Sequence, residues 1–221
     1  WVIASVVAVG VLAVSGPAAA QKAVTMGTSS VGSTFYVLAV GMSKVMQKHS
    51  GINVAVESVG GSHSTMFGIR RGKVDIGMAN AGATFDSYNG NAPFKNTFEL
   101  RIVAQGQSSF RGIFYTKSSK IKRVEDLVGQ TVLTKRKPLP ELEKLVNATI
   151  DVYGLPKKKM KLVSSRSLGE MNRLIRAGSV DATAYPFSLR QPVIVKLFND
   201  GLVDPMILPE DKYAKIKAKL P

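Results

Sequence analysis

The order of apolar and polar positions divides the chain into short apolar runs and longer segments of helical period. Residues 23–26 and 52–56 are brief apolar runs and predict strands. Between them, residues 33–48 carry Val37, Val40, Met42, Val45 and Met46, a spacing that predicts a helix with this set as its inner face. A helix over 62–71, opened by Ser62 as N-cap and stopped by Gly72, leads into a strand over 74–79 where Val74, Ile76 and Met78 alternate. A further strand is expected over 100–104. This β-α-β-α-β order implies a parallel sheet covered by helices. The pattern then restarts, with strands expected over 112–115, 131–134, 162–163 and 180–184. Helices are expected over 124–127, 141–153, 167–176 and 193–199, the second of them stopped by Gly154-Leu155-Pro156.

Two junctions echo one another. Ile69-Arg70-Arg71-Gly72-Lys73-Val74-Asp75 and Ile175-Arg176-Ala177-Gly178-Ser179-Val180-Asp181 share Ile, Arg, Gly, Val and Asp in one register. In each, a helix ends at a glycine suited to the left-handed conformation and a strand follows. The expected architecture is therefore α/β with two similar lobes, one before and one after about residue 105. Each lobe is a mostly parallel sheet flanked by helices, with a ligand cleft between the two.

The first residues change where this fold is placed. The stretch 2–14 is apolar and uncharged and is followed by Ser15-Gly16-Pro17-Ala18-Ala19-Ala20, the layout of a secretory signal peptide cleaved after Ala20. With neither an initiator Met nor a basic leader, the sequence is expected to begin inside that signal. Export to the periplasm is expected; a membrane tether formed by an uncleaved signal is the alternative. The chain has no cysteine, which excludes disulfides, cysteine-based catalysis and thiolate metal sites. Net charge is +15, but no aromatic residues interleave Lys135-Arg136-Lys137 or Lys157-Lys158-Lys159-Met160-Lys161. No nucleic-acid motif accompanies them, so a nucleic-acid partner is not expected. A positive field still draws in anions, and a polyanion-binding surface is the plainest reading of the charge alone.

Candidate chemistry gathers where strands give way to helices. Gly27-Thr28-Ser29-Ser30-Val31-Gly32-Ser33-Thr34 nearly spells a phosphate loop, with Ser33 where the lysine belongs. What remains is a set of hydroxyls and backbone N–H groups at a helix N-terminus, which favours an anion. Val59-Gly60-Gly61-Ser62-His63-Ser64 offers two glycines for close ligand approach and Ser62 facing the cleft, with His63 expected to be exposed or capping. Asn80 follows a strand directly. In parallel sheets, ligands bind outside the carboxyl ends of strands, so Gly27–Thr34, Gly61, Ser62 and Asn80 share one rim. The second lobe's strand ends deliver Thr134, Arg136, Tyr185 and Arg190, where a guanidinium suits a carboxylate. No Ser/His/Asp or paired-carboxylate set converges, so neither catalysis, nor a cofactor, nor a metal is expected.

The succession Gly32-Ser33-Thr34-Phe35-Tyr36, Gly60-Gly61-Ser62 and Arg71-Gly72-Lys73-Val74-Asp75-Ile76 resembles the TAXI-type solute receptors of TRAP transporters. Ala177-Gly178-Ser179-Val180-Asp181-Ala182, Pro192 and Met206-Ile207-Leu208-Pro209 follow the same pattern. The resemblance implies a class II-like periplasmic-binding-protein fold, a carboxylated ligand such as an amino acid or dicarboxylate, and delivery to the permease subunits of a TRAP transporter. It implies a ligand shell of Ser33, Thr34, Phe35, Tyr36, Gly61, Ser62 and Asn80. Lys135-Arg136-Lys137-Pro138-Leu139-Pro140 departs from the glycine loop of those receptors, and Arg190 replaces a glycine. The pattern places 201–221 in a return to the first lobe (21–105), leaving 106–200 as the second, and makes the sequence a C-terminally shortened member. The rival reading on the same fold serves an ATP-driven importer of sulfonate- or pyrimidine-like ligands.

Overall fold

The computed structural model describes residues 23–188 and 191–220; the expected signal segment and Arg190 lie outside them. The first lobe is built from Val24–Ser29 (β1), Thr34–Ser50 (α1), Val54–Gly60 (β2), Ser62–Arg70 (α2), Ile76–Gly77 (β3) and Ala81–Asn89 (α3). Its sheet is parallel, in the order β2-β1-β3. The helix α3 follows from Asn80, whose side chain accepts from the Ala83 amide at 2.8 Å and so caps it. The strand expected over 100–104 does not form. Ile102 and Val103 are 78% and 89% exposed, and a strand with neither a partner edge nor a buried face has nothing to hold it.

In α1 the buried stripe also differs from expectation. Ala39 and Met46 pack with Met26 and Val54, while Val37, Met42 and Val45 of the expected face are exposed. Residues 35–40 are apolar throughout, so periodicity does not choose a side there. A three-stranded sheet covers only a narrow strip of the helix.

The second lobe comprises Phe110–Thr116 (β4), Thr131–Arg136 (β5), Glu141–Tyr153 (α4), Lys161–Ser165 (β6), Leu168–Arg176 (α5), Ala182–Phe187 (β7), Pro192–Asn199 (α6), Val203–Pro205 (β8) and Glu210–Lys217 (α7). The sheet order is β6-β5-β7-β4-β8. The first three strands are parallel, and β4 runs antiparallel to both β7 and β8. Residues 201–220, expected with the first lobe, belong here instead. Strand β8 extends this sheet, and Val203, Met206 and Ile216 join its core. Three apolar side chains drawn into that core hold this segment on the second lobe.

The echoed junctions have matching geometry. Gly72 and Gly178 adopt φ of 63° and 60°. The Asp75 carboxylate accepts from the Thr25 amide at 2.8 Å, and Asp181 accepts from Thr131 at 2.8 Å. Each aspartate thus ties the start of its strand to the strand alongside.

The two lobes differ in their cores. One continuous cluster in the second lobe runs from Ile113 to Ile216, whereas the first holds two clusters around Met26 and Met66. Local opening requires less where less apolar surface is buried. Amide hydrogen exchange is therefore expected to be faster by at least tenfold in β1–β3 than in β5 and β7. Equal protection in the two sheets would contradict this. Among the described residues, no helix is long and apolar enough to cross a membrane.

Candidate functional site

The lobes face each other across the carboxyl ends of β1, β2, β5, β6 and β7, together with the start of antiparallel β4, which points the same way. The cleft between them is nearly closed and holds a cavity of about 40 Å³. The first lobe lines it with Ser29, Ser33, Thr34, Phe35 and Ser62. The second contributes Ser109, Arg111, Arg136, Leu139 and Leu168, then Pro186, Phe187, Ser188 and Gln191. It is a hydroxyl-rich cleft with an apolar wall and two guanidinium groups.

Arg136 is its centre. At the end of β5 it is 1% exposed, and its guanidinium reaches across to the Ser30 hydroxyl at 3.2 Å and the Ser29 hydroxyl at 3.4 Å. Its Nε has no partner, and among the described residues no carboxylate lies within salt-bridge distance. Burial pushes its pKa down to about 10, with nearby Tyr185 and Glu141 opposing the shift. It is therefore charged at neutral pH. Because the folded chain holds this proton less firmly than the unfolded one, the charge weakens the fold across the neutral range. The loss is relieved only as pH rises through about 10.

Opposite Arg136 stands the first turn of α1. Ser33 caps it, accepting from the Tyr36 amide at 3.2 Å. The Thr34 and Phe35 amides are left without an acceptor among the described residues. The 17-residue helix directs its positive end at the same space. Thr34 also meets Ser188 across the cleft, hydroxyl to hydroxyl at 2.9 Å.

Beside the cleft a second set of contacts joins the lobes. Glu141 opens α4 and accepts from Asn80 Nδ2 at 2.9 Å and from Arg111 at 3.2 Å. Its other oxygen lies 3.6 Å from His63 Nδ1. His63 is buried, stacked on Phe94, with its Nε2 3.4 Å from Asp86. This corrects the expectation that His63 is exposed or capping, and α2 begins at Ser62 with Gly61 in the cap position.

The expected site residues divide in two. Ser29, Ser33, Thr34, Phe35, Ser62 and Arg136 line the cleft. Ser62 spends its hydroxyl accepting from the Asn80 amide at 3.1 Å. Asn80 and Gly61 act at the lobe contact rather than on the cleft wall. A Cβ on Gly61 would stand 2.6 Å from the Pro138 carbonyl, so the glycine admits the opposite lobe, not a ligand. Thr28 is wholly buried in β1, and Tyr36 does not line the cleft. Thr134 donates to the Val163 carbonyl and is structural. Tyr185 points into the core, where its hydroxyl donates to Asn172 at 3.0 Å and burial pushes its pKa upward. Phe187 and Ser188 lie in the expected strand-end stretch 185–190, whereas Arg111, Ser109, Glu141 and Gln191 were not anticipated. An Arg opening a strand and a Glu opening a helix are common on any surface, and only their meeting marks them. Among the described residues, no three His, Asp or Glu side chains gather to ligate a metal ion.

A family model described as the NMT1-like family matches residues 26–221. No curated protein matches the chain. Among solved structures, the alkanesulfonate-binding protein SsuA from Xanthomonas axonopodis pv. citri, bound to MOPS, is 14% identical. It has a TM-score of 0.58 over 85% of this chain and 61% of that one. A putative sulfonate ABC transporter periplasmic sulfonate-binding protein, SsuA from Methylobacillus flagellatus KT, is 18% identical. Its TM-score is 0.52 over 87% of this chain and 59% of that one. A point mutant of arginine-bound ArgBP from T. maritima is 12% identical, with a TM-score of 0.52 over 89% and 92%. The fold is thus that of class II-like periplasmic binding proteins. The chain spans 59–61% of the length of these two sulfonate-binding proteins.

Proposed function

The chain belongs to the NMT1-like family, and from that footing we propose that it is a solute-binding receptor that closes two lobes around a small anion. The observation that carries this reading is Arg136, a charged guanidinium buried at the lobe junction with no carboxylate within salt-bridge distance among the described residues. A buried cation left unpaired is strongly unfavourable, and an anion arriving between the lobes relieves it. The Thr34 and Phe35 amides and the α1 dipole add donors directed at the same space.

Ligand held by both lobes shifts an open–closed equilibrium toward the closed form, with no covalent step. In this reading the lobes comprise residues 21–105 and 106–220, the chain works in the periplasm after export through residues 1–20, and a membrane permease reads the closed state. The order of sequence motifs favours a TRAP-type permease. Likeness to sulfonate-binding proteins, one of them named for an ABC transporter, favours an ATP-driven importer. These partners differ, while the anion site is common to both.

A thermal-shift screen of the purified chain against carboxylates, sulfonates, amino acids and nucleotides tests the reading. A saturable rise in melting temperature with a small-anion class is expected, since a ligand that binds only the native state stabilises it. A chain that melts cooperatively and responds to none of them overturns it. Salt separates a closed site from a polyanion-binding surface. Raising salt from 50 to 200 mM is expected to weaken small-anion binding less than tenfold, whereas polyanion binding through several lysines falls by about a thousandfold or more. The steep dependence, seen for the small anion itself, would place it on the surface.

A further inference from the structure

The cleft is lined by two arginines, yet among the described residues its wall contains no aspartate or glutamate. The two cations are not equivalent. The Nε of Arg111, like that of Arg136, has no partner, but both terminal nitrogens of Arg111 are engaged: one donates to the Ser109 hydroxyl at 2.8 Å and the Phe110 carbonyl at 3.0 Å, and the other to Glu141 at 3.2 Å. Arg136 has serine hydroxyls alone. Glu141 stands behind the wall, fixed by Asn80 as well as Arg111, and it cancels the Arg111 charge where that charge would otherwise reach the cleft.

We propose, resting on the receptor reading above, that the cleft takes a monoanion whose remainder is uncharged, and that Glu141 sets this rule by neutralising Arg111. The anionic head belongs at Arg136 and the amides of α1. The remainder faces Phe35, Leu139, Leu168 and Phe187. An ammonium group on the ligand finds no carboxylate on the wall and meets the positive end of α1 and Arg136. A second anionic group finds Arg111 already paired. Amino acids and dicarboxylates, the ligands implied by the sequence resemblance, are thus disfavoured against monosulfonates or monocarboxylates with a short apolar tail. Charge mismatch of this kind discriminates between partners more strongly than it tunes affinity.

The test uses two isosteric series on the full chain, read by calorimetry. Propane-1-sulfonate is set against 2-aminoethanesulfonate and 3-sulfopropanoate, and butanoate against 3-aminopropanoate and succinate. In at least one series the unchanged chain is expected to bind the apolar monoanion at least tenfold tighter than its ammonium isostere and its dianionic counterpart. Glu141→Gln keeps the side-chain shape and frees the Arg111 charge, so the dianion gains about tenfold relative to the monoanion. Arg111→Gln uncovers the Glu141 charge instead, and the ammonium isostere gains on the monoanion. Circular dichroism and melting curves establish that each variant is folded, and either variant alone suffices. Preference for the ammonium or dianionic ligand in the unchanged chain overturns the inference while leaving the receptor reading intact. So does a preference that a folded variant leaves unmoved. Failure of all six ligands to bind overturns the inference, and it overturns the receptor reading as well only when the wider thermal-shift screen is also silent.

Discussion

Replacing Arg136 with methionine is expected to remove anion binding while leaving the ligand-free fold at least as stable as before. The two effects have opposite signs because the same charge is an asset only when an anion is present. Its lowered pKa of about 10 corresponds to roughly 3 kcal/mol of unfavourable burial. The hydroxyl contacts at 3.2 and 3.4 Å are long, so they fall short of the roughly 1.5–3 kcal/mol that a well-formed hydrogen bond to a charged group returns. Methionine fills much of the space without a charge, so the ligand-free melting temperature holds or rises. Losing one side of a buried, hydrogen-bonded ion pair weakens binding by about 2–5 kcal/mol, or roughly 30-fold to several-thousandfold. Calorimetry and melting curves on the two chains read both numbers. Affinity within threefold of the original would show that the anion binds elsewhere, and a clear loss of ligand-free stability would show that Arg136 is structural.

The second large effect is expected from Gly61→Ala, a single added methyl. Gly61 has φ of 170°, an extended conformation open to any residue, so the substitution introduces no backbone strain. It does introduce a collision, because the new carbon stands 2.6 Å from the Pro138 carbonyl and 2.9 Å from its Cβ on the opposite lobe. Both are closer than carbon and oxygen tolerate without displacement. Opening the lobes relieves the contact, so the penalty falls on closure rather than on folding. With overpacking costing about 1–3 kcal/mol, anion affinity falls by roughly 5- to 150-fold while the ligand-free melting temperature moves little. Small-angle scattering is expected to show a larger radius of gyration for the variant. Unchanged affinity would mean that the bound lobes never come this close.

The strand–helix alternation, the two-sheet architecture and the first rim of the cleft were legible because they rest on local rules. The strand-end loops are marked by glycine and hydroxyl clusters, and the paired Asp75 and Asp181 junctions by Ile, Arg, Gly, Val and Asp shared in one register. Arg136 was legible for the same reason, lying at the end of an apolar strand. What failed depended on contacts between distant segments. Thr134 and Tyr185 sit on the right strands, but the sheet turns their side chains to Val163 and Asn172, and alternation does not say which face meets the cleft. Val203, Met206 and Ile216 could complete either lobe's core on composition alone. The cluster of His63, Asp86, Arg111 and Glu141 draws on four elements, with His63 and Glu141 separated by 78 positions of chain. No spacing rule connects them, and the expectation that His63 is exposed failed on Phe94, which packs over it.

Closure around an anion is read from the distance between the lobes. The chain has no cysteine of its own, so Lys48→Cys at the end of α1 and Lys158→Cys beyond α4, both at exposed positions, accept one spin label on each lobe. The distance distribution is expected to be broad without ligand and to narrow to a single distance as propane-1-sulfonate or butanoate, whichever binds, approaches saturation. The same titration on the Arg136→Met background is predicted to leave the distribution broad. A distribution unchanged by a saturating anion that calorimetry shows to be bound would contradict closure.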